Sequence, residues 1–217
     1  MSKPGLPAES ASQARDLVKI LVLVSGSGTN LQALIDAERE GRLGRGRISL
    51  VISDREGAYA LTRARLSGIK TLTETPDPSL PGPERRKELS GRILIRARKE
   101  GIRFIILAGF LSILKGDIIE VYKNRIINLH PSLLPKYGGR GMYGERVHQA
   151  VLAAGEKESG CTVHLVDEGT DTGPILLQRR VPVLEGDDSA SLAARIHNEE
   201  HQAIIEAALM MIEGLKN

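Results

Sequence analysis

The sequence predicts an α/β fold: a doubly wound, mostly parallel open sheet with helices on both faces and an antiparallel strand near the C-terminal end. Three observations carry that expectation. Short apolar runs occur without polar alternation, segments of helical period separate them, and glycine-bearing loops follow several of the runs. Strands covered by crossover helices on both faces read as continuous hydrophobic stretches, and ligands gather at their carboxyl ends.

Residues 1–18 mix Pro, Ser, Ala and charges without an apolar h-region, so they read as a flexible N-terminal extension and not as a secretory signal. KILVLVSG, from Lys19, is the first buried parallel strand. LQALIDAERE places Leu31, Leu34 and Ile35 on one face of a helix over 30–40, which GRLGRGR closes. ISLVIS is the second strand, GAYALTRARLSG a helix ended by Gly68, and IKTLT a short third strand. PERRKELSGRILIRARKEG puts Leu89, Ile93 and Ala97 at helical spacing ahead of RFIILAG, the fourth strand. IINL is the fifth. CTVHLV and ILLQRRVPV form a closing pair, the second polar enough to lie near an edge, and a final helix spans 188–213. With no repeat, low-complexity segment or internal linker, 19–217 reads as a single domain.

A chain of 217 residues, 41% hydrophobic and 26% charged, suits one core; a domain of this size buries roughly 70% of its unfolded surface. The single cysteine, Cys161, cannot form an internal disulfide, and a cytoplasmic location follows as the expectation. No apolar run approaches the ~18 residues of a bilayer span, so no membrane segment is expected. A net charge of +3 fits a basic surface or anionic small-molecule ligands. Aromatic residues are only 3%, which leaves few platforms for stacking bases, and nucleic acid is not expected as a ligand.

Reactive residues cluster at strand ends. In NLHPSLLPK, Pro131 biases His130 away from helix, so Asn128 and His130 share one strand face and offer a hydrogen-bond donor beside a proton-transfer group. Asp171 sits in GTDTGP, a turn that brings its carboxylate to the rim of a cleft; Asp167 and Glu168 precede it, and like charges there are expected to raise its proton affinity. Ser132 lies in HPSLLP and not in GxSxG, so local hydrogen bonding is its expected role. His164, alternating with Val163 and Leu165, reads equally as support for the cleft or as strand packing. SGSGTN joins a strand to a helix: either an ordinary turn, or free backbone N–H groups for a phosphate. Leu31 stands where a dinucleotide fingerprint needs a third glycine, which argues against a nicotinamide cofactor. Neither HExxH nor paired Cys/His spacing occurs, so no metal is expected.

Taken together, SGSGTNL, LAGFLSIL, NLHPSLLPK and VDEGTDTGPILLQ resemble the glycinamide ribonucleotide branch of the 10-formyltetrahydrofolate-dependent formyltransferase family, from about Lys19 to the C-terminus. The resemblance implies a Rossmann-like fold and transfer of the formyl group of 10-formyltetrahydrofolate to the amine of 5-phosphoribosylglycinamide in purine biosynthesis. It implies Asn128, His130 and Asp171 as catalytic residues, with His130 the main general acid and Asp171 accepting the amine's proton through a water. Gly28, Thr29 and Asn30 would hold the ribosyl phosphate, and Glu200 the glycinamide substrate. Arg86, Leu111, Ser112, Ile113, Leu114 and Asn128, with the loop of Asp167, Glu168, Gly169, Thr170 and Asp171, would contact the folate. The insert GRGMYGERVH, 139–148, is longer than in some members, and no role is carried over to it. A methionyl-tRNA formyltransferase is expected to carry an RNA-facing C-terminal domain and a deformylase an extra N-terminal one, and neither is expected here. A non-catalytic folate- or phosphoribosyl-binding protein is the reading outside the enzymes. The partners expected are these small molecules, with a homodimer left open.

Overall fold

The structure, a computed structural model, describes residues 17–215. Most of the expected extension lies outside the described residues. Where the description begins, the chain is already building the sheet: β1 (Val18–Val24) starts at Val18, one residue ahead of the expected boundary. It is followed by β2 (Gly46–Ser53), β3 (Thr71–Thr73), β4 (Phe104–Leu107), β5 (Ile126–His130), β6 (Glu158–Leu165) and β7 (Ile175–Pro182), in one sheet of spatial order β3-β2-β1-β4-β5-β6-β7. The pairs from β3 to β5 are all parallel, and β6 runs antiparallel to both its neighbours. Strand order reverses between β1 and β4, so the loops after these two strands diverge and leave a crevice at their carboxyl ends.

Strand β1 shows why its sequence is apolar throughout. Ile20, Val22 and Val24 pack with Leu31 and Leu34 of α1 (Thr29–Arg39) and with Ala203 and Ile204 of α6 (Ser189–Gly214). The alternate residues, Leu21 and Leu23, pack with Leu89 and Ile93 of α3 (Gly82–Glu100). Side chains of period 2 thus feed two separate cores, and neither face is left to water. Gly101, at φ 67°, ends α3 in the left-handed conformation that suits glycine, and the side chain of Asp188 caps α6 by accepting the Ser191 N–H at 2.8 Å.

The remaining helices are α2 (Tyr59–Leu66), α4 (Asp117–Val121) and α5 (Glu145–Ala153). Two of them, α4 and α5, are absent from the sequence reading. The first is little more than one turn. The second lies partly inside the 139–148 insert, where Gly139, Gly141 and Gly144 all take positive φ and hide the spacing of the buried Val147, His148 and Val151 that follows. Strand β2 begins two residues earlier than ISLVIS, at Gly46, and β3 is confined to Thr71–Thr73.

Ile93 is fully buried between α3 and the sheet. Truncation to alanine should cost about 2–5 kcal/mol, transfer and cavity terms together. Equilibrium denaturation is expected to show a lower midpoint with an unchanged denaturant slope.

Candidate active site

Two features of the sheet assemble the site. Strand β5 ends with Asn128 and His130, two residues apart, and β6 enters antiparallel so that His164 falls directly opposite Asn128. The β6·β7 register shifts between Val163 and His164, where Leu176 of β7 is left without a partner, a bulge of the kind found beside functional sites. The loop after β6 then doubles back. A side chain at Gly173 would place its Cβ 1.9 Å from the Leu165 carbonyl oxygen, so only glycine permits the return, and Asp171 itself takes a left-handed φ of 58°.

The result is a compact polar cluster. The Asn128 amide nitrogen lies 3.1 Å from His164 Nε2 and 3.4 Å from Asp171 Oδ1. His164 Nδ1 is 2.8 Å from the Leu165 carbonyl, which can only accept; its proton therefore sits on Nδ1, Nε2 is an acceptor, and Asn128 donates to it. His130 is fixed in the opposite sense. Its Nε2 donates to the Tyr137 carbonyl at 2.8 Å, leaving Nδ1 as the nitrogen that exchanges protons, 3.6 Å from Asp171 Oδ2. That carboxylate oxygen also accepts the Gly139 N–H at 2.9 Å. Ser132 behaves as expected, its buried hydroxyl donating to the Lys136 carbonyl at 2.7 Å.

Burial pushes the pKa of His130 below the ordinary histidine value, and this outweighs the Asp171 charge and the Tyr137 carbonyl, which both raise it. The imidazole is neutral near pH 7. Burial pushes Asp171 up, but the His164 and His130 rings, which favour its charge when they carry a second proton, and the Gly139 N–H prevail and hold it below the usual carboxylate value. The expectation that Asp167 and Glu168 raise it is overturned. Asp167 accepts the Gly169 N–H at 2.9 Å and the Thr172 hydroxyl at 2.8 Å, while exposed Glu168 faces Lys115 at 3.8 Å.

The cluster opens into a cavity of about 600 Å³, within the roughly 300–1,000 Å³ of small-molecule sites. At one end Gly28, Thr29 and Asn30 line it at the N-terminus of α1. Gly28 has a φ of 74°, and a Cβ there would meet that of Ala60 at 2.5 Å; no side chain caps the helix, so its first-turn N–H groups are left to a ligand. Glu200, only 5% exposed, accepts from Asn30 Nδ2 at 3.3 Å and lies 3.5 Å from His197 Nδ1. Burial raises its pKa against the opposing pull of His197 and Asn30. Leu111, Ser112, Ile113 and Leu114 line the other end with Asp167, Gly169, Thr170 and Asp171. Arg86, half-buried on α3, and Glu168 are not part of the wall, contrary to a reading in which both contact a ligand held inside it. Sequence reasoning missed Arg140, Tyr143, Arg146 and His148, all of which line the cavity from the insert; only the Gly-punctuated amphipathic stretch before Val151 could have pointed to them.

Among the described residues no group of three or more His, Cys, Asp or Glu is placed to hold a metal ion, and no helix is long and apolar enough to cross a membrane. A doubly wound α/β protein whose cleft combines an amide donor, a neutral imidazole and an ionised carboxylate with an anion-ready helix N-terminus has the parts of a group-transfer enzyme. The chain belongs to the formyl transferase family, whose model matches residues 18–208. It is 38% identical over 184 residues to the phosphoribosylglycinamide formyltransferase of Escherichia coli, covering 85% of this chain and 82% of that one. It is 44% identical over 197 residues to the trifunctional purine biosynthetic protein adenosine-3 of Drosophila melanogaster, of whose length the match spans 14%. Among solved structures, glycinamide ribonucleotide transformylase 1 from Symbiobacterium toebii superposes with a TM-score of 0.83 at 43% identity, over 92% of this chain and 89% of that one.

The electrostatics set a measurable order. By NMR, His130 should titrate below its ordinary value of 6.5, and Asp171→Asn should lower it further, because the Asp171 charge is one of the terms that raises it. The same shift fixes the sign for stability. A folded value below the unfolded one means that the contribution of neutral His130 is present above about pH 6.5 and is lost as pH falls through the folded value. A His130 resonance that moved upward in Asp171→Asn would contradict the geometry.

Proposed function

We propose that this chain transfers the formyl group of 10-formyltetrahydrofolate to the amine of 5-phosphoribosylglycinamide, as one cytoplasmic formyltransferase domain spanning 19–217. The observation that carries the reading is the meeting of Asn128, His130 and Asp171 on a cavity with an anion-ready helix end at one side and the 111–114 loop at the other. Gly28, Thr29 and Asn30 are assigned to the ribosyl phosphate and Glu200 to the glycinamide substrate. Leu111, Ser112, Ile113 and Leu114 are assigned to the folate with Asn128, Asp167, Gly169, Thr170 and Asp171. Arg86 and Glu168, outside the wall, are assigned to any part of the folate that extends beyond it.

In the reaction a C–N bond forms between the amine and the formyl carbon, the bond to the folate nitrogen breaks, and one proton passes from the amine to that nitrogen. His130 Nδ1, unprotonated at rest, accepts the proton in place of the Asp171-and-water route that the resemblance implied, because an Asp171 held below the usual carboxylate value is the weaker base; its carboxylate instead stabilises the imidazolium. The same nitrogen then gives the proton to the departing folate, so His130 is base first and acid second. Asn128 has two N–H groups. The one on His164, at 3.1 Å, orients the amide; the one facing Asp171, at 3.4 Å, is long for a hydrogen bond and is assigned to the developing oxyanion. Holding amine and formyl group together is worth roughly 7–11 kcal/mol in well-oriented systems.

With purified protein, formyl loss from 10-formyltetrahydrofolate should require phosphoribosylglycinamide and yield the formylated amine in equal amount. Release of formate with water alone would replace the transferase reading with a deformylase. His130→Ala and Asp171→Asn should each lower turnover by about 100- to 10,000-fold, and Asn128→Ala by about 100- to 1,000-fold. Turnover near that of the parent protein in both His130→Ala and Asp171→Asn would remove the assignment. Gly28→Ala, which forces a Cβ against Ala60, should raise the KM for the phosphorylated amine and leave that for the folate within about threefold; equal rises in both would deny the phosphate assignment.

A further inference from the structure

Asp54 lies just past β2, 5% exposed, outside the cavity wall and outside every motif singled out in the sequence. One of its oxygens, Oδ2, accepts the Ser112 hydroxyl at 2.6 Å; the other, Oδ1, is buried without a partner. Leaving a buried carboxylate oxygen unpaired costs stability, and packing alone would be served more cheaply by an apolar residue. What the carboxylate supplies is a short hydrogen bond of the stronger kind, directed at the loop that forms one end of the cavity.

That loop is held at two more points from outside. The Leu111 N–H donates to Ser25 Oγ at 2.8 Å, and the Lys115 N–H donates to Ser90 Oγ at 2.9 Å. Both serines are buried, one just past β1 and one on α3. The three anchors differ in what they fix. Those at Leu111 and Lys115 hold the backbone at either end, whereas Asp54 alone holds a side chain that lines the cavity. With its proton committed to Asp54, the Ser112 hydroxyl can only accept from a ligand.

We propose that Asp54 is a positioning residue for the folate half of the site, setting the loop of Leu111, Ser112, Ile113 and Leu114 in its binding geometry without touching the ligand. The inference rests on the formyltransferase reading for the identity of that ligand. The clamp itself does not depend on it.

Steady-state kinetics and amide hydrogen exchange on the full chain test both parts. In Asp54→Ala, the KM for 10-formyltetrahydrofolate should rise at least tenfold, with kcat and the KM for phosphoribosylglycinamide within about threefold. A parallel rise in both KM values, or no rise in either, would overturn the assignment. Asp54→Asn keeps an acceptor oxygen and is expected to recover most of the folate KM; an asparagine variant as impaired as the alanine one would also count against a hydrogen-bond clamp. If Asp54→Ala does not fold, Asp54→Leu, similar in shape but without an acceptor for the Ser112 hydroxyl, should show the same split. Should the parent protein fail to transfer formyl groups, the functional reading falls, and exchange still judges the clamp. Amides of 110–115 must exchange at least tenfold faster in the variant while those of α6 stay unchanged, and equal rates would overturn it.

Discussion

The carboxylate of Asp171 is where three separate stretches of chain meet. It receives the Gly139 N–H from the insert, faces His130 and Asn128 on β5, and lies 3.6 Å from His164 on β6. Only His164, on the strand that leads into its loop, is near it in sequence. The cluster tolerates a mostly buried carboxylate because the Gly139 N–H and the Asn128 amide face it, and its pKa stays below the usual carboxylate value in spite of burial. If the acid were neutral, Gly139 would lose its stronger acceptor and His130 the charge that favours its imidazolium. The folded shape of the cleft and its readiness for proton transfer thus rest on one ionisation state.

The sheet makes that meeting possible. Five parallel strands alone would send every loop outward from the same edge with a helix behind it. The antiparallel entry of β6 brings His164 against Asn128 with no crossover helix between them, and the glycine at 173 lets the following loop fold back over the strand end. The reversal of strand order between β1 and β4 opens the other end of the cavity, where α1 begins. The two ends are therefore stiff for different reasons: one is a helix terminus wedged against Ala60, the other a loop tied to buried side chains.

Much of this is legible in the chain. Continuous apolar runs mark strands buried on both faces, and Pro131 fixes the extended end of β5, so the fold class and the pairing of Asn128 with His130 follow from local chemistry. The Gly-rich turn around Asp171 is visible for the same reason. What is not legible depends on neighbours in space. Asp167 and Glu168 adjoin Asp171 in sequence, yet one turns into its own loop and the other toward Lys115, so the expected shift has the wrong sign. His148 hides behind three glycines whose local signal is loop. Asp54 follows Ser53 in a stretch that reads as an ordinary turn, and its contact with Ser112 spans 58 residues that no periodicity links.

The direction of proton flow follows from how His130 is anchored. A carbonyl can accept but cannot donate, so the Tyr137 contact keeps a proton on Nε2 throughout and leaves Nδ1 alone to take one up and release it. Were the anchor a hydroxyl or a water, either nitrogen could serve, and the imidazole could discharge its proton away from the cavity. Burial adds the second constraint. By disfavouring the charged ring it keeps Nδ1 empty before the amine arrives, and it makes the imidazolium short of stability except while Asp171 faces it. A proton taken up there is held weakly enough to be passed on. A donor of that kind suits a leaving nitrogen that must be protonated as its bond to carbon breaks, and a histidine exposed to water would be less well matched to the task.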